Sequence, residues 1–429
     1  MKTVKYFYLC LLIIAVIFTA AGCKEEKKKN KIVLHVFSNL PDRESGQGLI
    51  EQMIIDEYMK ENPGVSITVE ALDEAAFKTK FYVYCHERMP DIVSMWGQRP
   101  VLEQAVNSGK LLELNKSDFW SFGFKQHSMD GFTMNGKLYG LPRNTDMALL
   151  FYNKKMFDAF DWELPQTLDE LIKLSVEIKA LGFIPVSMDG SDGWPLMILL
   201  SDIFNDLAGK EYAAIIDHAI ETHDFSHPYI REALEIFSYI CSKNIFQDNF
   251  AQDDYGAAQN TFTSGKSAMF YMGSWATSIA SNSNYLNEIT PYIHAATFPL
   301  VKENAQGKNN LLAWYGGGYG ISTDCDYKEE ALNFIKFMFA PKRLSKLGLE
   351  NSVGLSAQHE MDFLEYAETP CLMELINIAD NESLYSGTPI NDRSNIKFKY
   401  ITEFNIIRLA SGQITVEDFI QMLQKENVY

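Results

Sequence analysis

Cysteine is scarce: six in 429 residues, with no two at CxxC spacing. That excludes metal knuckles and thioredoxin-type redox chemistry. Basic residues are outnumbered, and the formal net charge is −18. Such a surface repels phosphate backbones and offers anionic lipid no basic patch, so nucleic acid is not an expected partner. Past residue 30 there is no tandem repeat and no low-complexity tract. Enzyme motifs are missing too. Neither GxSxG nor HExxH occurs, Gly265-Lys266-Ser267 has Asn260 where a P-loop needs its leading Gly, and Ile321 spoils a GxGxxG reading of Gly316–Gly320. His218, His223 and His227 read as a solvated acidic helix end, and Asp189-Gly190-Ser191-Asp192-Gly193 is too short for a calcium loop. No catalytic residue, metal or cofactor is expected. With 56 Asp and Glu, however, counting alone leaves a carboxylate-based glycosidase open.

What is present begins at the N-terminus. Lys2 and Lys5 precede Phe7–Phe18, an apolar run of twelve residues, too short for the ~20 of a membrane span. Small residues Thr19-Ala20-Ala21-Gly22 follow, then Cys23. Charged start, short apolar core and small-residue cleavage site define a secretory signal over 1–22. A Cys directly after it resembles a bacterial lipobox, with Ala20 where Leu is commoner. That likeness implies a lipid on Cys23 and a place on the outer face of the cytoplasmic membrane; a plain cleaved signal with an incidental Cys is the alternative. Residues 23–30 then form a tether, since Lys24–Asn30 contains nothing apolar. Loss of Lys2 and Lys5 takes the charge from −18 to about −20. Cys85, Cys241, Cys325 and Cys371 remain, and are expected as buried free thiols rather than disulfides.

From residue 31 the chain is long enough for two domains, and 47% hydrophobic with 22% charged residues describes a real core. Lys31–Phe37, Val65–Val69 and Pro90–Met95 read as strands, with a helix at Leu49–Glu61 ended by Asn62-Pro63-Gly64. This alternation implies parallel strands joined by helical crossovers, an α/β fold. Ala148–Tyr152 is a strand with no solvated face. Thr167 and Glu170 form a capping box opening a helix to Lys179. Helices follow at Tyr229–Ser242, Tyr327–Phe339 and Val416–Lys425, with one apolar strand, 309–323, interrupted by Gly316-Gly317-Gly318.

Four stretches, Gly136–Pro142 with Leu150–Lys154, Leu164–Leu171, Phe262–Met269 with Gly273-Ser274-Trp275, and Gly317–Ile321 with Glu330–Phe334, together resemble family 1 of the extracellular solute-binding proteins. These are the sugar-capturing lipoproteins of ABC importers. The resemblance covers most of residues 31–429. It implies a two-lobed periplasmic-binding-protein-like fold (type II) with a ligand cleft between lobes that close by hinge motion. Lobe 1 would be 31–143 and 298–340, and lobe 2 would be 144–297 and 341–429. The chain would thus cross near Arg143, Phe298 and Ala340.

Sugars present hydroxyls at the ring edge and C–H groups on the faces, so a site needs aromatic plates and polar acceptors. Trp96, Trp194, Trp275 and Trp314 each adjoin Gly or a tight loop at a strand end or helix start, the ligand edge of open α/β sheets. By the resemblance Trp194 and Trp275 stack on sugar, and Asp146 falls where maltose-binding-type relatives place a sugar-binding carboxylate. Asn39, Asp42 and Arg43 follow the first strand, Gln98 and Arg99 follow Trp96, and Asp189 precedes Trp194. Tyr315 and Gly316 adjoin Trp314, and Gly316–Gly318 would let backbone amides approach ligand. Trp120 and Trp162 are assigned to packing. The resulting expectation is a monomeric, non-enzymatic lipoprotein that captures a carbohydrate, an oligosaccharide, and hands it to the transmembrane subunits of an ABC permease. It would touch the membrane through the lipid alone. A ligand sensor on the same scaffold, or an exported carbohydrate-active enzyme, are the alternatives.

Overall fold

Strand β1 (Ile32–Ser38), helix α1 (Gly46–Glu61), strand β2 (Val65–Ala71), helix α2 (Glu74–His86), strand β3 (Ile92–Trp96) and helix α3 (Arg99–Asn107) alternate as the apolar pattern dictates. The computed structural model describes residues 31–281, 289–302, 305–307, 310–358, 365, 367–381, 383–384 and 387–425; the signal, Cys23 and the tether lie outside them. β1 pairs in parallel with both β2 and β3, as crossover helices require. The sheet is completed by β4 (Leu141–Pro142) and by β10 (Gly317–Ile321), which runs antiparallel to β3. Ile54, Phe77, Phe81, Phe334 and Ile335 pack its two faces into one core.

The second lobe is built on β5 (Asn144–Asn153), with β6 (Ile184–Ser187), β7 (Ser267–Gly273) and β8 (Ile293–Ala296) in the order β8-β5-β7-β6. Along β5, Met147, Leu149 and Phe151 enter one core cluster, while Ala148 and Leu150 enter another. Both faces are covered, which is why Met147–Phe151 is apolar throughout. One cover is helix α4 (Leu168–Ala180), opened by the Thr167–Glu170 capping box; another is α5 (Trp194–Ala208), apolar nearly all round and almost wholly buried. All four cysteines beyond the tether are buried free thiols.

Residues 313 to 321 do not form one strand. β9 (Ala313–Trp314) pairs with β5 in the second lobe, and β10 belongs to the first. β11 (Leu355–Ser356) also pairs with β5. The three segments that pass between lobes therefore lie side by side at Asn144–Met147. The sheets change at Arg143, at Tyr315–Gly316 and at Val353–Gly354. The last two differ from the expected Phe298 and Ala340. Phe298 is drawn into the second lobe's core, and Leu344 and Val353 into the first lobe's. Trp162 packs edge-on to Phe157, but Trp120 is 80% exposed, contrary to its assignment, because neighbouring Phe119 takes the core position in that short helical turn. Among the described residues no helix is long and apolar enough to cross a membrane.

Candidate functional site

Four strand ends carry the candidate residues: Asn39 after β1, Trp96 at the end of β3, Asp189 after β6, and Ser274-Trp275 after β7. β6 and β7 are parallel, so their carboxyl ends share one edge. Trp194 opens α5 from that edge. Its ring lies 5.6 Å from that of Trp275, which in turn meets Trp314 edge-on at 6.1 Å. Three indoles thus form a continuous wall. Trp314 is buried, whereas Trp194 and Trp275 are half-buried.

Asp146 lies beyond Trp314, on the first crossing strand. It is buried, and Asn144 Nδ2 donates to its Oδ1. Burial raises its pKa to about 7, against the pull of the Arg143 charge and the Asn144 hydrogen bond. The Gly316–Gly318 run explains itself here. A Cβ on Gly316 would overlap Asp146 Oδ2, and one on Gly317 would overlap the Arg143 guanidinium. These glycines make room for the polar row beneath them, a role different from the close backbone approach to ligand anticipated from the sequence.

Arg143 connects Asp146 to the first lobe. Its Nη1 donates to Ser94 Oγ (3.2 Å) and Tyr319 Oη (3.4 Å). Ser94 Oγ donates to Asn39 Oδ1 at 2.8 Å, and Tyr319 Oη donates to the buried Glu51 carboxylate at 2.7 Å. Arg43 closes the chain through Glu51 at 2.5 Å and also donates to Gln52 Oε1 and the Leu40 carbonyl. Arg43 therefore braces the first loop. Asp42 is exposed and accepts from the Glu44 and Ser45 backbone amides, which makes it a turn residue. Arg99 is exposed and reaches toward Glu103, at 3.9 Å. Gln98 precedes α3 without capping it. Trp96 stands edge-on to Phe77 at 5.4 Å, within the first lobe. Buried Tyr315 completes the second crossing, and Gly316 O accepts from Gly97 N at 2.8 Å.

At the other end of the wall is Asp189. It is fully buried, its Oδ1 accepts from Asp192 N at 3.2 Å, and Oδ2 has no partner among the described residues. Burial, with Asp192 alongside, pushes its pKa well above the usual carboxylate range. Next to it a Cβ on Gly193 would overlap Glu403, on helix α6 (Ile396–Ala410). Lys399 on the same helix is buried between Asp392 (2.5 Å) and Glu403 (2.8 Å), and Asn391 Nδ2 donates to Glu403 at 2.8 Å. Burial opposes the Lys399 charge, but the two carboxylates outweigh it and raise its pKa. Lys78, on α2 of the first lobe, pairs with Glu74 at 2.5 Å and feels the charges of Lys399 and Glu403. α6 also packs on α3. The two lobes meet here.

Buried polar atoms without a hydrogen-bond partner among the described residues include Arg143 Nε, Asn144 Oδ1, Asp189 Oδ2, Trp194 Nε1 and Asn391 Oδ1. Such groups are costly unless something completes them. Arg143 and Asn144 lie at the first crossing, Asp189 and Trp194 at the start of α5, and Asn391 beside Glu403. Two surface cavities, of about 760 and 540 Å³, lie elsewhere, beside Pro165 and Glu374 and beside His35 and Glu70. Arg143, Asn144, Asn391 and Glu403 were not singled out from sequence. The only available signal was the position of Arg143 and Asn144 at the first crossing.

Two α/β lobes, three adjacent crossings and an aromatic and polar row between them define a two-lobed binding protein. The chain belongs to the bacterial extracellular solute-binding proteins, whose family profile matches residues 53–348. It is 23% identical to a multiple sugar-binding protein of Streptococcus mutans over 76% of both chains. It is 24% identical to a galactooligosaccharide-binding protein of Bacillus subtilis over 47% of each. Among solved structures it resembles one connected with xylan utilization by the thermophilic bacterium Caldanaerobius polysaccharolyticus. That match has a TM-score of 0.81 and 24% identity, covering 92% of this chain and 99% of the other. A chitin oligosaccharide binding protein matches with a TM-score of 0.79 and 22% identity, over 92% and 98%.

Proposed function

We propose that this protein captures a carbohydrate, an oligosaccharide, in the cleft between its lobes and delivers it to an ABC-type permease without altering it. The observation that carries the reading is the wall of Trp194, Trp275 and Trp314 with an acidic side chain at each end, Asp146 and Asp189. Indole faces suit the C–H faces of sugar rings, and carboxyl and amide groups suit the hydroxyls at the edge. The row of incompletely bonded atoms supplies both donors and acceptors, which is what a hydroxyl needs. Relatives named for sugars support the same class. In this reading residues 31–143 and the β10 region move against the remainder about the paired crossings at 143–147. A thermal-shift screen of residues 24–429 against mono- and oligosaccharides tests the proposal. A ligand should raise the melting temperature with the logarithm of its excess over Kd, by about 2.7 kcal/mol of stability at a hundredfold excess. No shift with any sugar, or steady release of reducing ends, would count against it.

The reading includes anchoring as a monomer by a lipid on Cys23, at the outer face of the cytoplasmic membrane. Its support is the signal-like segment ending in small residues immediately before Cys23. Cys23→Ser should move the protein from the membrane fraction to the medium. A variant retained in the membrane at wild-type levels would refute the anchor.

A further inference from the structure

Arg143 sets the direction of a chain of hydrogen bonds. A guanidinium donates and never accepts. Its Nη1 meets two hydroxyls, Ser94 Oγ at 3.2 Å and Tyr319 Oη at 3.4 Å. Each hydroxyl therefore accepts from Arg143 and has a single proton to pass on. Tyr319 passes its proton to Glu51, at 2.7 Å. Ser94 is fully buried and passes its proton to Asn39 Oδ1, at 2.8 Å. A flipped Asn39 amide would set its NH2 against Ser94 and leave the buried Ser94 proton unpaired, which is costly. The Asn39 oxygen is thus committed to Ser94, and its NH2 is not.

Asn39 is half-buried, and its Nδ2 makes no hydrogen bond with a described residue. The loop it opens, from β1 to α1, lies against the second lobe. A Cβ on Gly46, at the start of α1, would stand 3.5 Å from Ser278 Oγ, in the helical turn Ser274–Ala280 that carries Trp275. At its other end the chain is rooted in Arg143, whose charge reaches Asp146 beside Trp314. A donor of the first lobe, held from behind and left without a partner, therefore belongs to the junction that the indole wall borders. Sugar hydroxyl and carbonyl oxygens accept such a bond.

We infer, resting on the carbohydrate reading above, that Ser94 is a positioning residue that fixes Asn39 as a hydrogen-bond donor to a ligand oxygen, so that the sugar unit facing the first lobe presents an acceptor there. The test is calorimetry with maltotriose, cellotriose, xylotriose, chitotriose and raffinose, followed by a double-mutant cycle on the strongest binder. Asn39→Asp keeps an oxygen for Ser94 and replaces the donor, so it should weaken binding by more than about threefold. Asn39→Ala should do the same. Ser94→Ala should also cost more than about threefold in the wild-type background, but less than about twofold once Asn39 is alanine, because its effect runs through that amide. A merely structural Ser94 would lower the melting temperature without ligand and cost the same factor in both backgrounds. Should Ser94→Ala fail to fold, Asn39→Asp carries the test, since Asn39 is half-buried and its shape is retained. Asn39→Asp within about threefold of wild type, or equal Ser94→Ala losses with and without the Asn39 amide, overturns the inference and leaves the carbohydrate reading standing. No binding of any of these sugars by the wild type removes both.

Discussion

Alanine at Trp194 or Trp275 should weaken oligosaccharide binding by roughly 1–3 kcal/mol, about five- to 150-fold in Kd, with the fold intact. Both rings are half-buried at the face of the second lobe, 5.6 Å apart, and so offer apolar area that a bound sugar would cover. Aromatic anchors of this kind carry a large share of binding energy because they are rigid and bury much surface. Trp120 is the control, and Trp314 differs from the other two indoles of the wall in its burial. Trp314 is 4% exposed and packs in the core, so Trp314→Ala should cost stability, by ~3–5 kcal/mol as large aromatic truncations do. Trp120 is 80% exposed, so Trp120→Ala should alter neither stability nor affinity. Melting curves without ligand and calorimetry with it separate these outcomes. Full affinity in both Trp194→Ala and Trp275→Ala would place the sugar elsewhere. Unfolding of both would make the wall purely structural.

Asp146→Asn should stabilise the ligand-free protein at pH 8 while weakening its grip on sugar. The Asp146 carboxyl has a folded pKa of about 7 against 3.8 for an unperturbed group, because burial outweighs Arg143 and Asn144. Between those values the folded state holds a proton that the unfolded state has released. Stability therefore falls as pH rises from about 4 through 7, and the group's contribution is fully lost above 7. Asparagine copies the protonated form, so the variant should match wild type near pH 4 and exceed it by on the order of 2–4 kcal/mol at pH 8. Thermal melts at the two pH values read this directly. Equal stability of both proteins at pH 8 would show that Asp146 is solvated. Affinity should move the other way, by ~1 kcal/mol or more, since a charge-assisted acceptor becomes a neutral amide. Stability spent on a buried carboxyl between the lobes is what a binding role would explain.

The parallel β1–β2–β3 arrangement was legible because crossover helices and buried strands leave periodic, local signals. So was the α4 capping box, which involves residues three apart. The crossings were only partly legible. An apolar residue such as Phe298 does not declare which core it joins, and Phe298 packs in the second lobe. Trp120 was misjudged for a related reason: Phe119 and Trp120 are adjacent apolar residues, and only packing decides which one turns inward.

By itself, the sequence determined an acidic α/β chain long enough for two domains, with a signal-like start and aromatic residues at strand ends. Those properties are written in composition, periodicity and short-range spacing, whereas the two lobes were implied only by the family resemblance. The tertiary structure alone decided which strand ends face each other. It brought Trp194, Trp275 and Trp314 into one wall, set Arg143 and Asn144 beneath the glycines of β10, and placed Lys78 of one lobe near Glu403 of the other. It also turned Arg43, Asp42 and Arg99 to local duties. Contacts between residues tens to hundreds of positions apart depend on how distant elements pair and pack, which no local pattern encodes.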